Sequence, residues 1–425
     1  MNLHLLNNIT KPARDKQLIY KYQLVKHLFN LGACSVSTLC DTMNMSTPSV
    51  LKLITNLIDE DWIEKKGYGI SMGGRKPDLY GLKDKKILIL CIDIELFHTK
   101  IAVMDNNYNY IVEANTIALP ISKSSRSDFF NILNTHVQDI LKAQNITHEQ
   151  LIGCSVGMPG LIDSEKGKSY SYFLSDQENT SLTAAFETTL KLPVIIQNDV
   201  NGSSMAEFTH GMAKGKQNAL ILLMDWGVGL GIIMDGKLRK GACGFSGELG
   251  HIPFVENGAL CYCGKHGCLE TIASGNALSE MAKEGILSGK NSMLNKLSNE
   301  ELQRIEPDVI IETANKGDQY AIQLLSNIGT YMGKGISVLI QLFNPELIIL
   351  SGKIAEAKQY ITLPMQQAIN TYCMTQIRER TTIVSSELGE NSRLLGYATT
   401  GIDYFLDACI KKAGKSKSRL TSSQT

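Results

Sequence analysis

Leu88-Ile-Leu-Cys-Ile-Asp93 and, about 130 residues later, Leu220-Ile-Leu-Leu-Met-Asp225 are short apolar runs that each end in aspartate. A second run follows each after a turn: Ile101-Ala-Val-Met-Asp105 and Gly231-Ile-Ile-Met-Asp235-Gly236. Runs this short, bounded by turn residues, read as buried strands rather than helices. The same strand, turn, strand and acidic hairpin therefore occur twice. That pattern predicts an α/β chain of two similar lobes with a cleft between them. Outward from the first lobe, a helix over 127–143 precedes a strand at Ile152–Val156, which ends in Gly157-Met-Pro-Gly160. Val194-Ile195-Ile196 is a further strand, running into Asn198-Asp199. Outward from the second, a long helical stretch over 308–342 leads to the strand Leu347–Leu350 and to Ser351-Gly352. Gly401–Ala413 reads as a final helix, and the Lys/Ser-rich 414–425 as a disordered tail.

The first 84 residues have a different texture. Leu18, Tyr22, Val25, Leu28 and Phe29 recur at helical spacing and stop at Gly32. Ser35 caps a short helix, and Asn44-Met45 ends it. Ser46 and Pro48 open a third helix with Val50, Leu53, Ile54 and Leu57 inward. Two short strands joined by Gly73-Gly74-Arg75-Lys76 complete a winged helix-turn-helix plan. Ser46, Thr47, Ser49 and Lys52 would meet DNA from the recognition helix, and Arg75 and Lys76 from the wing. A tri-helical protein-binding module is the plainer alternative. It leaves the basic glycine loop unexplained.

The 42 Lys/Arg and 42 Asp/Glu cancel, so global charge advertises no nucleic acid. The split is slightly uneven: Met1–Asp84 has 11 basic and 8 acidic residues, hence +3 there and −3 elsewhere. Composition is that of a globular protein, with 43% hydrophobic and 20% charged residues, which excludes a fibre or a disordered chain. No apolar run is long enough for a membrane span, and Met1–Thr10 lacks a signal-peptide pattern. A cytoplasmic protein with no membrane partner is expected.

Of ten cysteines, seven are scattered singly, as small core hydrophobes usually are. Cys261, Cys263 and Cys268 instead cluster on a loop punctuated by Gly258, Gly264 and Gly267, with His251 upstream. Three thiolates and an imidazole fill a tetrahedral zinc site with no open position. Such zinc, one per chain, would be structural, since no place remains for a reacting water.

The stretch Gly244-Phe-Ser-Gly-Glu248-Leu-Gly-His251, followed by Cys261-Tyr-Cys-Gly-Lys-His-Gly-Cys-Leu-Glu270, closely resembles the ROK family, which groups bacterial sugar kinases with repressors of sugar operons. The likeness continues through Gly157–Gly160, Asn198-Asp199-Val-Asn201, Gly227–Gly231 and Asn344-Pro345, and the winged helix resembles the family's regulator branch. The resemblance implies two actin-like (ribonuclease H-like) lobes. It also implies that Asn198, Asp199, Glu248, His251 and Glu270 contact a sugar, His251 by one ring nitrogen while the other binds zinc. Asp199 would hold the family's general-base position; a helix cap is the lesser, local reading.

Three departures from the family's kinases lie where nucleotide phosphates would bind. Asp93-Ile-Glu95-Leu-Phe97 replaces flexible glycines with acid and bulk, as does Asp225-Trp226-Gly-Val-Gly229, and Ser351-Gly352 stands for a glycine pair. A carboxylate facing triphosphate is repulsive by about 1 kcal/mol or more. No bound ATP and no catalysis are expected. The domains expected are 1–84 (winged helix), 85–198 completed by 397–413 (first lobe), and 199–396 (second lobe, with the zinc loop and a dimer interface). The expected function is a regulator of carbohydrate genes that binds operator DNA as a homodimer or higher oligomer and leaves it on binding a sugar or sugar phosphate. The alternative is an ATP-dependent sugar kinase using Asp199.

Overall fold

The computed structural model describes residues 15–70, 76–121, 126–173 and 181–421, with side chains from 17 to 414. It divides into two compact units: 1–197 with 397–425, and 198–396.

The first unit opens with α1 (Asp15–Leu31), β1 (Cys34–Ser35), α2 (Val36–Met43) and α3 (Thr47–Asp59), then β2 (Ile63–Tyr68) and β3 (Asp78–Leu82). Ser35 caps α2 by accepting the Thr38 N–H, and Asn44 ends it in the left-handed conformation. Ser46 occupies the N-cap of α3 with proline in the first turn, but its hydroxyl bonds that of Ser49 (2.9 Å) rather than the backbone. Val50, Leu53, Ile54 and Leu57 form the buried face of α3, as their spacing predicts. The three strands pair in the order β1-β3-β2, giving the winged helix plan. Arg75, with Gly73 and Gly74, lies outside the described residues.

Two five-stranded sheets follow, one per unit, and their strand orders are the same. The first comprises β4 (Leu88–Ile94), β5 (Thr99–Asp105), β6 (Tyr110–Ile117), β7 (Leu151–Met158) and β10 (Val194–Asn198) in the order β10-β7-β4-β5-β6. Helix α4 (Arg126–Ala143), the two-residue strands β8 (Ile162–Asp163) and β9 (Lys168–Ser169), and α5 (Leu182–Leu190) intervene. After α6 (Asp199–Thr209) the second sheet comprises β11 (Ala219–Met224), β12 (Val228–Met234), β13 (Lys237–Leu238), β14 (Leu347–Ser351) and β15 (Thr382–Ser385), ordered β13-β12-β11-β14-β15. In each, an antiparallel meander is extended on the side of its first member, by parallel β7 and then β10 in the first sheet and by parallel β14 and β15 in the second. The duplicated sequence pattern is thus a duplicated topology. β4 and β11 are buried at every position, which is why they read as unbroken apolar runs.

The helices of the second unit are α7 (Glu270–Ala273), α8 (Gly275–Leu287), α9 (Asn299–Gln303), α10 (Pro307–Asn315), α11 (Gln319–Phe343), α12 (Gln359–Tyr372) and α13 (Thr375–Arg378). The helical stretch expected over 308–342 is therefore two helices. Gly317 has a positive φ of 89°, and the Asp318 carboxylate accepts the Ala321 N–H (2.9 Å), so one helix stops and the next is capped within three residues. The final helix also differs from expectation. α14 runs Ser392–Thr421, starting nine residues before Gly401 and continuing through most of the segment read as disordered. Gly396 lets its first turn pass close to α6: an added Cβ would lie 1.8 Å from the Gly202 carbonyl oxygen. That close approach is a reason for glycine, not a helix end.

Within the first unit α1 is held against α14. Lys26 pairs with Asp403 (3.0 Å) and Asp407 (2.6 Å), and the Asn30 amide donates to Asp403 (3.1 Å). No helix among the described residues is long and apolar enough to cross a membrane.

Candidate functional site

The start of β12 is the platform of the second unit's site. α6 lies on it because Gly229 and Gly231 leave room for Val200 and Ser204, whose side chains would meet an added Cβ at 2.1 and 1.7 Å. The loop carrying Glu248 and His251 approaches the same strand through Gly247 and Gly250, each packed on a carbonyl of Leu230 or Val228. Glu270, the first residue of α7, accepts the Val228 N–H at 3.1 Å.

Around that platform the structure brings together Glu248, His251 and Glu270. Glu248 Oε2 is 3.8 Å from His251 Nε2. Burial raises the Glu270 carboxyl above its ordinary pKa; the backbone N–H of Val228 opposes the rise. Burial likewise raises Glu248, with His251 opposing and Glu270 adding to the shift. Asn198 and Asp199 stand at the head of α6, on the same strand by way of Val200. Asn198 is the helix N-cap, its side chain accepting the Val200 N–H at 2.9 Å. Asp199 Oδ1 shares that same N–H (2.9 Å), so the capping reading of this pair holds for the local geometry.

His251, Cys261, Cys263 and Cys268 converge with all ligand atoms within 4.8 Å of one another. Cys263 and Cys268 sulfurs are 3.6 Å apart, and Cys261 Sγ is 3.5 Å from His251 Nδ1. The edges of a zinc tetrahedron with bonds near 2.3 Å to sulfur are about 3.8 Å, so the donors fit a metal of that size and softness. The loop is a tight knuckle: Leu260 bridges His266, and the Cys261 N–H bonds the Lys265 carbonyl. Gly267 is obligatory in it, with φ of 71° and a Cβ position 1.8 Å from the Val255 carbonyl. Burial and the neighbouring thiols push the Cys268 thiol up to about 12, a proton that a bound cation would displace.

The other ring nitrogen of His251 is not left open. Nε2 lies 3.0 Å from the Tyr262 hydroxyl, a contact with no signal in the sequence, where Tyr262 is merely the residue between two cysteines.

The loops that depart from the kinase pattern carry their own partners. In the first unit Glu95 pairs with Lys100 (3.1 Å), and buried Asp93 accepts from the Tyr397 hydroxyl (3.0 Å). Asp93 is registered beside Gly157, where an added Cβ would strike the Tyr397 ring at 1.8 Å. In the second unit Asp225 pairs with Arg393 (3.1 Å) and accepts the Trp226 N–H (3.1 Å). Lys353, just after Ser351-Gly352, reaches Asp308 (3.3 Å) and Glu306 (3.7 Å). The Glu95 carboxylate, expected to repel a triphosphate, is paired with Lys100, which offsets its charge within the chain. None of Lys100, Lys353 and Arg393 was singled out from sequence. Arg393 is 168 residues from its partner.

On α3, Ser46, Thr47, Ser49 and Lys52 are all exposed, as is Lys76 at the base of the wing. Among the described residues Lys52 has no ion-pair partner. Lys65 of β2 is taken up by Asp78 (2.6 Å) and stacks over Tyr68 (4.3 Å).

Comparison with known proteins adds an independent line. The sequence model of the ROK family matches residues 89–402. The chain is 26% identical over 367 residues to the DNA-binding transcriptional dual regulator NagC of Escherichia coli (strain K12), covering 86% of this chain and 88% of that one. It is 30% identical over 278 residues to a glucokinase of Halalkalibacterium halodurans, covering 64% of this chain and 84% of that one. Among solved structures, a ROK family transcriptional regulator described as a homolog of the E. coli MLC protein superposes with a TM-score of 0.76 at 24% identity, over 93% of this chain and 99% of that one.

Proposed function

The chain belongs to the ROK family, and on that footing we propose that it is a sugar-responsive transcriptional repressor of carbohydrate-utilisation genes. The observation that carries this reading is the N-terminal domain. The regulator relative aligns with 86% of this chain and the kinase relative with 64%. The polar, exposed start of α3 suits a DNA groove, with Ser46, Thr47, Ser49 and Lys52 on the helix and Arg75 and Lys76 on the wing. A homodimer would supply two such helices to a two-fold operator.

Asn198, Asp199, Glu248, His251 and Glu270 hold the effector, a sugar or sugar phosphate. Acids, an amide and an imidazole select polyols over apolar ligands because unmatched polar groups are costly. His251, Cys261, Cys263 and Cys268 hold one structural zinc per chain, which when bound fixes the loop that presents His251. Effector binding and operator binding oppose each other, and reciprocally so. The protein works in the cytoplasm without a membrane partner.

The phosphate loops support a regulator without kinase activity: the acids in them are matched by Lys100, Tyr397 and Arg393 rather than left for magnesium and nucleotide. The kinase reading, with Asp199 as base, is favoured by the 30% identity to a glucokinase. Incubation with ATP and a hexose panel separates the two. No ADP release, together with a sugar that raises the melting temperature, is the expected result. Sugar-dependent ADP release would overturn the proposal.

A further inference from the structure

Helix α3 turns an apolar arc to solvent. Leu51 is 42% exposed and Ile58 41%, and Thr47, Pro48 and Thr55 beside them are exposed as well. On a helix of 3.6 residues per turn these five positions fall within one arc of about 100°, clear of the buried Val50, Leu53, Ile54 and Leu57. A lone surface leucine is ordinary. An apolar arc on the helix that a winged helix-turn-helix lays in the major groove is not.

The polar groups of the same helix narrow what it can read. Between Thr47 and Thr55 there is no Arg, Asn or Gln, the side chains that make paired hydrogen bonds to guanine or adenine. The Ser46 and Ser49 hydroxyls bond each other at 2.9 Å. The Thr55 hydroxyl donates to the Leu51 carbonyl at 3.0 Å, so Thr55 directs its donor back to its own helix and keeps a methyl group for outside contact. Lys52 is exposed and borders the arc. The only acid in α3, Asp59, is its last residue, about 12 Å beyond Leu51 along the axis. The early turns of α3 thus offer a groove hydrocarbon with a cation beside it. In the major groove the apolar group that a base edge presents is the C5-methyl of thymine.

We propose that Leu51, in the apolar arc that Thr55 extends by one turn, reads a thymine methyl group in the major groove and so sets the sequence preference of α3. This rests on the DNA-binding reading given above and goes beyond it by naming the group that is read. The occupant is DNA rather than a protein segment because a cation borders the arc and residues 1–84 carry 11 basic residues against 8 acidic, which suits a polyanion. Lys52 then supplies affinity for any duplex, and Leu51 supplies discrimination among duplexes.

The test uses the full-length protein and duplexes that it selects from a random pool. In the recovered sequence each thymine is replaced in turn by uracil, which removes the C5-methyl group and keeps every hydrogen-bonding atom of the base. Parent and Leu51→Ala are compared by fluorescence anisotropy at one salt concentration. At one or more positions uracil should weaken binding by the parent about fourfold, the worth of one methyl group. Leu51→Ala should bind the thymine duplex that much more weakly and be indifferent to uracil at the same position. A parent indifferent to uracil at every thymine would overturn the proposal. So would Leu51→Ala protein with the parent's full uracil sensitivity, which places the methyl reader elsewhere. Loss of self-association in Leu51→Ala, by sedimentation, with that sensitivity unchanged would make Leu51 a protein contact and overturn it too. Failure of the parent to select any duplex removes the DNA-binding reading itself, and the proposal with it, and is distinct from the other outcomes because no sequence is left to scan.

Discussion

Arg393 and Asp225 form an ion pair at 3.1 Å with the arginine only 7% exposed, which joins the first turn of α14 to the end of β11 within the second unit. A guanidinium so enclosed is tolerated only while its charge is matched. Asp225→Ala should destabilise the protein by about 1.5–3 kcal/mol, the usual worth of a hydrogen bond to a charged group. Equilibrium urea unfolding measures it. Combining Asp225→Leu with Arg393→Met should recover most of the loss. A single variant as stable as the parent would show that the arginine's charge is met without Asp225.

The buried Glu207 gives a pH prediction. Burial raises its carboxyl above the ordinary 4.5, against the bonds it accepts from the Ser386 hydroxyl and the Met212 N–H. The folded state then holds this proton more tightly than the unfolded chain does. Between about 4.5 and the raised folded value, stability falls as pH rises. Glu207→Gln should flatten that part of the stability–pH curve, measured by thermal unfolding across about pH 4–8. A slope that persists in the variant assigns the effect to other groups.

Removing one thiolate tests the metal knuckle. Cys263→Ser leaves three donors, and a chelator should strip zinc from it that the parent retains, about one ion per chain. Sugar response should be lost with the loop that presents His251, while operator binding survives in part, because the winged helix belongs to the other unit. Metal analysis and a DNA mobility shift with and without sugar report the two effects separately. Parent protein that still answers sugar after complete zinc removal would dismiss a structural metal.

Lys52 is exposed on α3 and suited to a phosphate. Lys52→Ala should weaken binding to operator and unrelated DNA alike and lower the slope of log affinity against log salt by about 1. Loss confined to operator would instead make Lys52 a reader of bases.

The lobes were legible because their buried strands leave an unbroken apolar trace twice over; the strand order, which the pairing of distant segments sets, was not. The knuckle was legible because metal ligation demands particular atoms at short spacing. Lys353, Arg393 and Tyr262 were not, since ion pairs across 168 residues and an exposed phenol on a ring nitrogen leave no local periodicity. The start of α14 was hidden by Gly396, whose ordinary meaning in a helix is a break. Here tertiary contact with Gly202 overrides that propensity.

The clasp between α1 and α14 also orders events in time. Asn30 and Asp403 are 373 residues apart, so the helix that opens the N-terminal domain is made first and its seat last. At about 5–20 residues per second, the nascent α1 waits roughly 20–75 s before Asp403 and Asp407 are synthesised. A chain cut short before α14 retains the ring contact of Phe29 with Tyr108 (5.8 Å) but lacks both carboxylates that Lys26 pairs with, so the charged part of the clasp closes once synthesis has passed residue 407.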